Sequence, residues 1–240
     1  MVALTGAGIS VESGIPDFRS PGGLWEVFDP AIYATIDTFL TDPGRSWELF
    51  LAVGETLKGK EPNDAHLSLA RLEKSGRVRA VITQNIDGLH QKAGSMNVIE
   101  VHGDHRSLHC LKCGRLYPAD PDAGAVGRAE IPSGSEGFDT PACERCRFPL
   151  KPNVVLFGEA VRHIDLAIKA LRACDALLVI GTSAQVYPVA SFPHAVKERG
   201  GTILEFNVEE TPLTRTITDY FLQGKASRTL PFIEWLLTKA

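Results

Sequence analysis

The 240-residue chain has room for one large domain or for a domain carrying a smaller insertion, and 44% hydrophobic with 22% charged residues is ordinary globular composition. No run approaches the roughly 18 consecutive apolar residues of a membrane span. The start, Met1-Val2-Ala3-Leu4-Thr5, has neither the basic region nor the long apolar region of a secretory leader, so a cytoplasmic location is expected. A net charge of −4 disfavours direct binding to a nucleic-acid backbone and suits a basic partner such as a lysine-bearing peptide.

Short runs rich in Val, Ile and Leu alternate with helix-like stretches, the pattern of an α/β fold with a parallel sheet covered on both faces. The first expected strand, Val2 to Thr5, ends at Gly6-Ala7-Gly8, a turn able to aim backbone N–H groups at a phosphate. The same turn also fits a tight bend with no ligand. It departs from the dinucleotide fingerprint, since Val11 stands where the third glycine belongs and no acid closes a second strand roughly 20 residues on. An ordinary dehydrogenase is thereby disfavoured. Gly14-Ile15-Pro16-Asp17-Phe18-Arg19 follows, too rich in glycine and proline for regular structure. Such a loop can close over a ligand, with Arg19 near phosphate and Phe18 near a reacting carbon, or it can be a surface loop with a buried Phe.

Pro30 to Lys60 reads as helices and loops inserted in the alternation. Asn63 or Asp64 can cap a helix from Ala65 to Lys74 that stops at Gly76. The next expected strand, Arg79 to Thr83, ends at Gln84-Asn85-Ile86-Asp87, where a buried amide pair calls for a polar ligand or water. Another, Val98 to Val101, ends at His102-Gly103 and places His102 to act as a base near neutral pH. A lone histidine is more often structural; the strand end is what distinguishes this one, and the remaining histidines lack that setting.

His105 to Lys151 is rich in Gly, Pro and Cys, with a Gly/Ser/Pro patch from Ile131 to Pro141. Four of the five cysteines form two knuckles, Cys110-Leu-Lys-Cys113 and Cys143-Glu-Arg-Cys146. Two thiolates from each suit one tetrahedral, structural zinc with no open position. A redox pair is the alternative, but neither knuckle opens a helix after a strand. Cys174 reads as a small buried apolar residue. Further strands are expected at Val154 to Phe157, Ala176 to Ile180 and Ile203 to Phe206. They end at Gly158-Glu159, Gly181-Thr182-Ser183 and Asn207-Val208-Glu209. Helices are expected from about His163 to Cys174, from Ala190 to Arg199 and around Leu230 to Leu237. In an open α/β sheet ligands bind beyond the carboxyl ends of the strands, so these clusters should converge.

Taken in order, Gly6 to Ser10, Gly14 to Arg19, Thr83 to Asp87, His102-Gly103, the knuckles, Phe157-Gly158-Glu159, Gly181 to Ser183 and Asn207 resemble the sirtuin (Sir2) family of NAD-dependent protein deacylases. The resemblance implies a Rossmann-like NAD-binding domain (1–29, 76–104 and 152–240), a helical insertion (30–75) and a zinc-binding module (105–151), with an acyl-lysine peptide in the cleft. It implies that Gly6, Ala7, Gly8, Arg19, Gly181, Thr182, Ser183, Asn207, Val208, Glu209 and Ala226 line the adenosine and diphosphate site. Asp17, Phe18 and Trp25 would close over the cofactor, and Gln84, Asn85, Ile86 and Asp87 would hold the nicotinamide and its ribose. Val155, Phe157 and Gly158 would pair with the substrate. His102, with Asn85, would be catalytic, deprotonating a ribose hydroxyl after the acyl oxygen has displaced nicotinamide. The products are then deacylated lysine and O-acyl-ADP-ribose.

ADP-ribosyl transfer or NAD hydrolysis on the same pocket is the alternative, and a zinc-ribbon binding module is a more distant one. The resemblance also implies a helix before the first strand, which leaves open a start upstream of Met1. Members that remove acidic acyl groups carry a Tyr and an Arg on the helix after the first loop. Here Ala52 and Glu55 are expected there, and a carboxylate would repel an acidic acyl group, so neutral acyl groups are expected.

Overall fold

The computed structural model of the chain describes residues 1–18, 22–119 and 140–239. Arg19 and most of the Gly/Ser/Pro patch lie outside them. The first strand, β1 (Val2–Thr5), is buried throughout and runs into two single turns of 3-10 helix, Ala7–Ile9 and Val11–Ser13. A helical stretch follows: α1 (Leu24–Val27), α2 (Pro30–Tyr33), α3 (Ile36–Thr41) and α4 (Pro43–Leu57). Asp29, Thr35 and Asp42 each accept a backbone N–H from the first turn of α2, α3 and α4. Pro30 and Pro43 stand at first positions, where no N–H is needed. Next, α5 (Asp64–Lys74) is capped by Asn63, and His66 Nδ1 accepts the Asn63 N–H in return.

The remaining elements are β2 (Val81–Thr83), α6 (Leu89–Lys92), β3 (Val98–Glu100), β4 (Gly103–Cys110), β5 (Leu116–Pro118), β6 (Leu150–Val154), α7 (Ile164–Arg172), β7 (Ala176–Ile180), α8 (Phe192–Lys197), β8 (Thr202–Asn207), β9 (Tyr220–Gln223) and α9 (Ala226–Lys239). Among the described residues six strands form one parallel sheet in the order β3-β2-β1-β7-β8-β9. Alternation along β1 sends Val2 and Leu4 to one face and Ala3 to the other. Val2 and Leu4 pack with Ala167 and Leu171 of α7 and Phe192 and Val196 of α8. Ala3 packs with Ala65, Leu69 and Leu72 of α5 and Leu230 of α9. Each fully buried Leu, Ile or Val contributes about 1.5–3 kcal/mol of transfer free energy, so the two helical layers hold the sheet from both sides.

Three other strands form an antiparallel sheet, β5-β4-β6, whose register shifts between Gly103 and Leu108. Its apolar face shares a core with α3 and α4: Phe39, Trp47 and Phe50 pack with Leu108, Leu150, Val154 and the buried Cys110 and Cys143. Trp47 Nε1 donates to the Leu150 carbonyl at 2.9 Å.

Several expectations are corrected. Val154 to Phe157 is no strand of the parallel sheet. Val154 closes β6, and the chain then runs on, Val155 N donating to the His102 carbonyl at 2.8 Å and Phe157 N to the Ala34 carbonyl at 2.9 Å. A four-residue apolar run fits any buried extended segment, and only its partners distinguish them. The sixth strand, β9, is half-exposed at the sheet edge and too mixed to read as a strand. The helix expected from Ala190 opens as a 3-10 turn before α8, and α9 runs through Pro231 rather than starting near it.

The seam between β4 and β6 fixes one residue sharply. Gly103 has φ of +78°, and a Cβ there would lie 1.9 Å from the Asn153 carbonyl oxygen. Gly103→Ala is therefore expected to lower stability by about 3 kcal/mol. Chemical denaturation reads this as a lowered midpoint, and an unshifted midpoint would contradict the close approach.

Candidate active site at the strand ends

The winding of the parallel sheet reverses between β1 and β7, and a crevice at such a switch point is where open α/β sheets take ligands. A cavity of about 760 Å³ lies over the carboxyl ends of the strands there, within the usual range of ligand sites. Every cofactor and substrate residue anticipated from the sequence lines it, apart from Arg19, which lies outside the described residues; the four cysteines stand elsewhere.

At the seam itself the backbones nearly touch. A Cβ on Gly6 would lie 2.8 Å from the Gly181 carbonyl oxygen, and one on Gly8 would lie 2.8 Å from Gly181 Cα. Gly6 N donates to the Ile180 carbonyl and Gly8 N to the Gly181 carbonyl. The two glycines are thus required by backbone packing, and their amides are engaged within the protein. Among the described residues no carbonyl pairs with the intervening Ala7 amide, which leaves it as the donor this turn can offer an anion. Thr182 and Ser183 follow β7 at the same level. Asn207 ends β8, Val208 and Glu209 follow it, and Ala226 opens α9. Asn207 Nδ2 donates to the Thr182 carbonyl at 3.2 Å, tying two strand ends together.

Beyond β2 the expected polar cluster is present, but protein groups satisfy its donors. Gln84 Nε2 donates to Thr182 Oγ1 at 3.0 Å, and Asn85 Nδ2 donates to the Gly6 carbonyl at 3.1 Å and to Ser10 Oγ at 3.2 Å. A ligand is not needed to satisfy these amides. Ser10 Oγ donates to Asp87 at 2.7 Å, and Asp87 also accepts the Leu89 N–H at 2.9 Å. His102 Nδ1 lies 3.1 Å from the Gln84 carbonyl oxygen. A carbonyl only accepts, so Nδ1 carries the proton and Nε2 holds the lone pair. Burial pushes the His102 pKa below its ordinary 6.5, against the pull of the Gln84 carbonyl.

Aromatic rings stand at one side of the cavity. Phe18 and Trp25 have centroids 4.8 Å apart, and Trp25 and Phe157 lie 6.5 Å apart. The segment bearing Val155, Phe157 and Gly158 is shaped from behind by the buried Lys151. Its ammonium donates to the Val154 carbonyl and lies 2.9 Å from Glu159, whose carboxylate accepts the Leu156 N–H at 2.8 Å.

Three histidines set aside in the sequence lie buried close to this site. His66 Nε2 is 3.4 Å from Ser10 Oγ, and burial lowers its pKa to about 4 against the pull of Asp87. His90 Nε2 is 2.9 Å from Thr5 Oγ1. His105 lines the cavity itself. The capping position of His66 in Asn63-Asp64-Ala65-His66 was the one available signal; for the other two no local pattern exists. The expected helix positions, Ala52 and Glu55, do not line the cavity: Phe50, Val53 and Thr56 do, whereas Glu55 is exposed. Repulsion by Glu55 is thus no part of the site, and the wall there is lined instead by Leu49, Val53 and Leu57.

The sulfurs of Cys110, Cys113, Cys143 and Cys146 all lie within 4.8 Å of one another, with Cys110 and Cys146 at 3.4 Å and Cys113 and Cys143 at 3.6 Å. A zinc ion with bonds of about 2.3 Å in tetrahedral array sets its sulfurs a little under 4 Å apart, so the donor set fits zinc with every position filled by protein. Cys174 is buried away from them, as expected. Among the described residues no helix is long and apolar enough to cross a membrane.

The reversed parallel sheet, the cavity at its switch point and the appended four-cysteine unit define an NAD-binding fold of the sirtuin kind. The model of the Sir2 family matches residues 6–188, and the chain belongs to that family. It is 47% identical over 232 residues to the NAD-dependent protein deacetylase of Caldivirga maquilingensis, covering 97% of this chain and 86% of that protein. In structure it is similar to a Sir2 homologue solved as a complex with NAD, with TM-score 0.87, 40% identity and coverage of 99% and 89% of the two chains. It is also similar to a Sir2 protein solved with a p53 peptide and NAD+, with TM-score 0.85, 33% identity and coverage of 100% and 93%.

Proposed function

We propose that this chain is an NAD-dependent protein lysine deacylase, acting on acetyl and other neutral acyl groups. It transfers the acyl group from lysine to ADP-ribose and releases nicotinamide and O-acyl-ADP-ribose. The observation that carries this reading is His102, oriented by the Gln84 carbonyl with Nε2 as acceptor, in a cavity shared by the glycine turn and the Val155 to Gly158 segment. A base at that point can take a proton from a ribose hydroxyl, and the aromatic rings keep water from the reacting carbon.

In this assignment Ala7 meets the diphosphate across Gly6 and Gly8, and Arg19 joins it from the following loop. Gly181, Thr182, Ser183, Asn207, Val208, Glu209 and Ala226 take the adenosine. Gln84, Asn85, Ile86 and Asp87 face the nicotinamide ribose, while Asp17, Phe18 and Trp25 cover it. Val155, Phe157 and Gly158 offer backbone to an acyl-lysine peptide. The divisions at 30–75 and 105–151 serve as walls of the peptide cleft around the NAD-binding remainder. A cytoplasmic setting suits four thiols that must stay reduced to hold zinc.

Incubation with NAD and an acetyl-lysine peptide is expected to yield O-acetyl-ADP-ribose, and only when the peptide is acylated. Free ADP-ribose formed equally well without peptide would instead mark an NAD hydrolase, and ADP-ribose attached to protein a transferase.

A further inference from the structure

One charged side chain lies wholly inside the protein, lines no part of the cavity, and yet holds one of the cavity's segments at both ends. Lys151, on β6, is fully buried. An ammonium is among the costliest groups to bury and persists only where its charge and its protons are met. Here three acceptors meet them: the Val154 carbonyl, a Glu159 carboxylate oxygen at 2.9 Å and the Pro152 carbonyl at 3.5 Å. The same Glu159 oxygen accepts the Leu156 N–H at 2.8 Å, and Glu159 N donates back to the Leu156 carbonyl at 3.0 Å. Leu156 to Glu159 is therefore a closed four-residue turn, with Phe157 and Gly158 at its central positions and Gly158 at φ of +92°. Lys151 spans this turn, reaching back to Val154 where β6 ends and forward to Glu159 where the turn closes.

A buried ion pair alone is weak evidence of a role, because removing either partner strands the other whatever the pair is for. What distinguishes this one is the pair of residues it brackets. Phe157, whose ring side is left 46% exposed, and Gly158 both line the cavity, whereas the groups that Lys151 binds stand just before and just after them. Arg162, the other cation close by, donates to Asn153 Oδ1 and so does not duplicate the contact.

We propose that Lys151 is a positioning residue for the acyl-lysine peptide, fastening both ends of the turn so that Phe157 and Gly158 meet the substrate in one fixed arrangement. The inference rests on the deacylase reading of the same segment. The test uses Lys151→Met, which replaces the ammonium by an apolar chain of similar length, and Lys151→Met/Glu159→Gln, which also removes the charge left behind. In both variants KM for an acetyl-lysine peptide is expected to rise about tenfold, while kcat and the calorimetric Kd for ADP-ribose stay within about threefold. A merely structural role gives a different pattern. The single variant would then lose thermal midpoint and active fraction, lowering kcat at unchanged KM, and the double variant, free of an unpaired buried charge, would regain wild-type kinetics. A peptide KM within about twofold of the wild type in the double variant overturns the proposal. Should the single variant fail to fold, the double variant decides it. Titration of the peptide into the ADP-ribose complex reads the same loss of affinity without turnover. Wild-type protein that binds the peptide but forms no O-acetyl-ADP-ribose would contradict the deacylase reading alone, the Lys151 comparison then being read in Kd. Wild-type protein that binds no acetyl-lysine peptide would overturn both.

Discussion

His102→Ala is expected to lower deacylation of an acetyl-lysine peptide by about 10²–10⁴-fold while leaving the dissociation constant for NAD within a few-fold. The imidazole bonds through Nδ1 to the Gln84 carbonyl, so its removal deletes a base without disturbing the glycine seam or the strand ends on which the dinucleotide would lie. The pH dependence has a defined sign. Burial holds the pKa of His102 below 6.5, and the active form of a base is the neutral one. At pH 7 the neutral base therefore predominates, and kcat/KM should fall on the acid side with a midpoint under the ordinary histidine value. Near-normal turnover by the alanine variant, or an acid limb centred above 6.5, would remove His102 from the chemistry.

Loss of the zinc ligand set is the second large effect. Cys143→Ser should lower both metal content, expected at about one zinc per chain in the parent, and the thermal midpoint. Structural zinc in small finger units supplies apparent binding free energies of about 10–16 kcal/mol. Here the buried Cys110 and Cys143 belong to the same core as Phe39, Trp47, Phe50, Leu150 and Val154. Disorder there would reach α4 and the segment after β6, so peptide turnover should be lost more completely than ADP-ribose binding, which rests on the parallel sheet. A parent protein that contains no zinc by elemental analysis would defeat this account.

The central strands were legible because each is a short Val, Ile or Leu run that stops at glycine or a polar cluster, and the switch point gathers those stops into one cavity. What escaped has physical causes. Val154 to Phe157 is as apolar as a parallel strand, and only its bonds to His102 and Ala34 reveal the different path. A helix face read out of phase puts Ala52 and Glu55 where Phe50, Val53 and Thr56 stand, turning an apolar wall into an acidic one. Gly6 and Gly8 were read as phosphate donors, yet their amides serve the seam and leave that task to Ala7. His90 and His105 had no sequence signature, and His66 only its place in the capping box, because burial by distant segments is what gives them their character.

The position of β1 has a consequence for how the molecule is made. This strand is made before the other described strands but sits in the middle of the sheet, and its neighbours are β2 and β7, with Val2 facing Leu177 and Thr5 facing Ile180 across the second seam. Contacts so far apart in sequence close slowly, and until they do an apolar strand edge is exposed on the ribosome. The glycine turn is made well before its partner across the seam. The cradle it forms with Gly181 cannot exist until β7 has emerged, so dinucleotide binding should follow the synthesis of that strand.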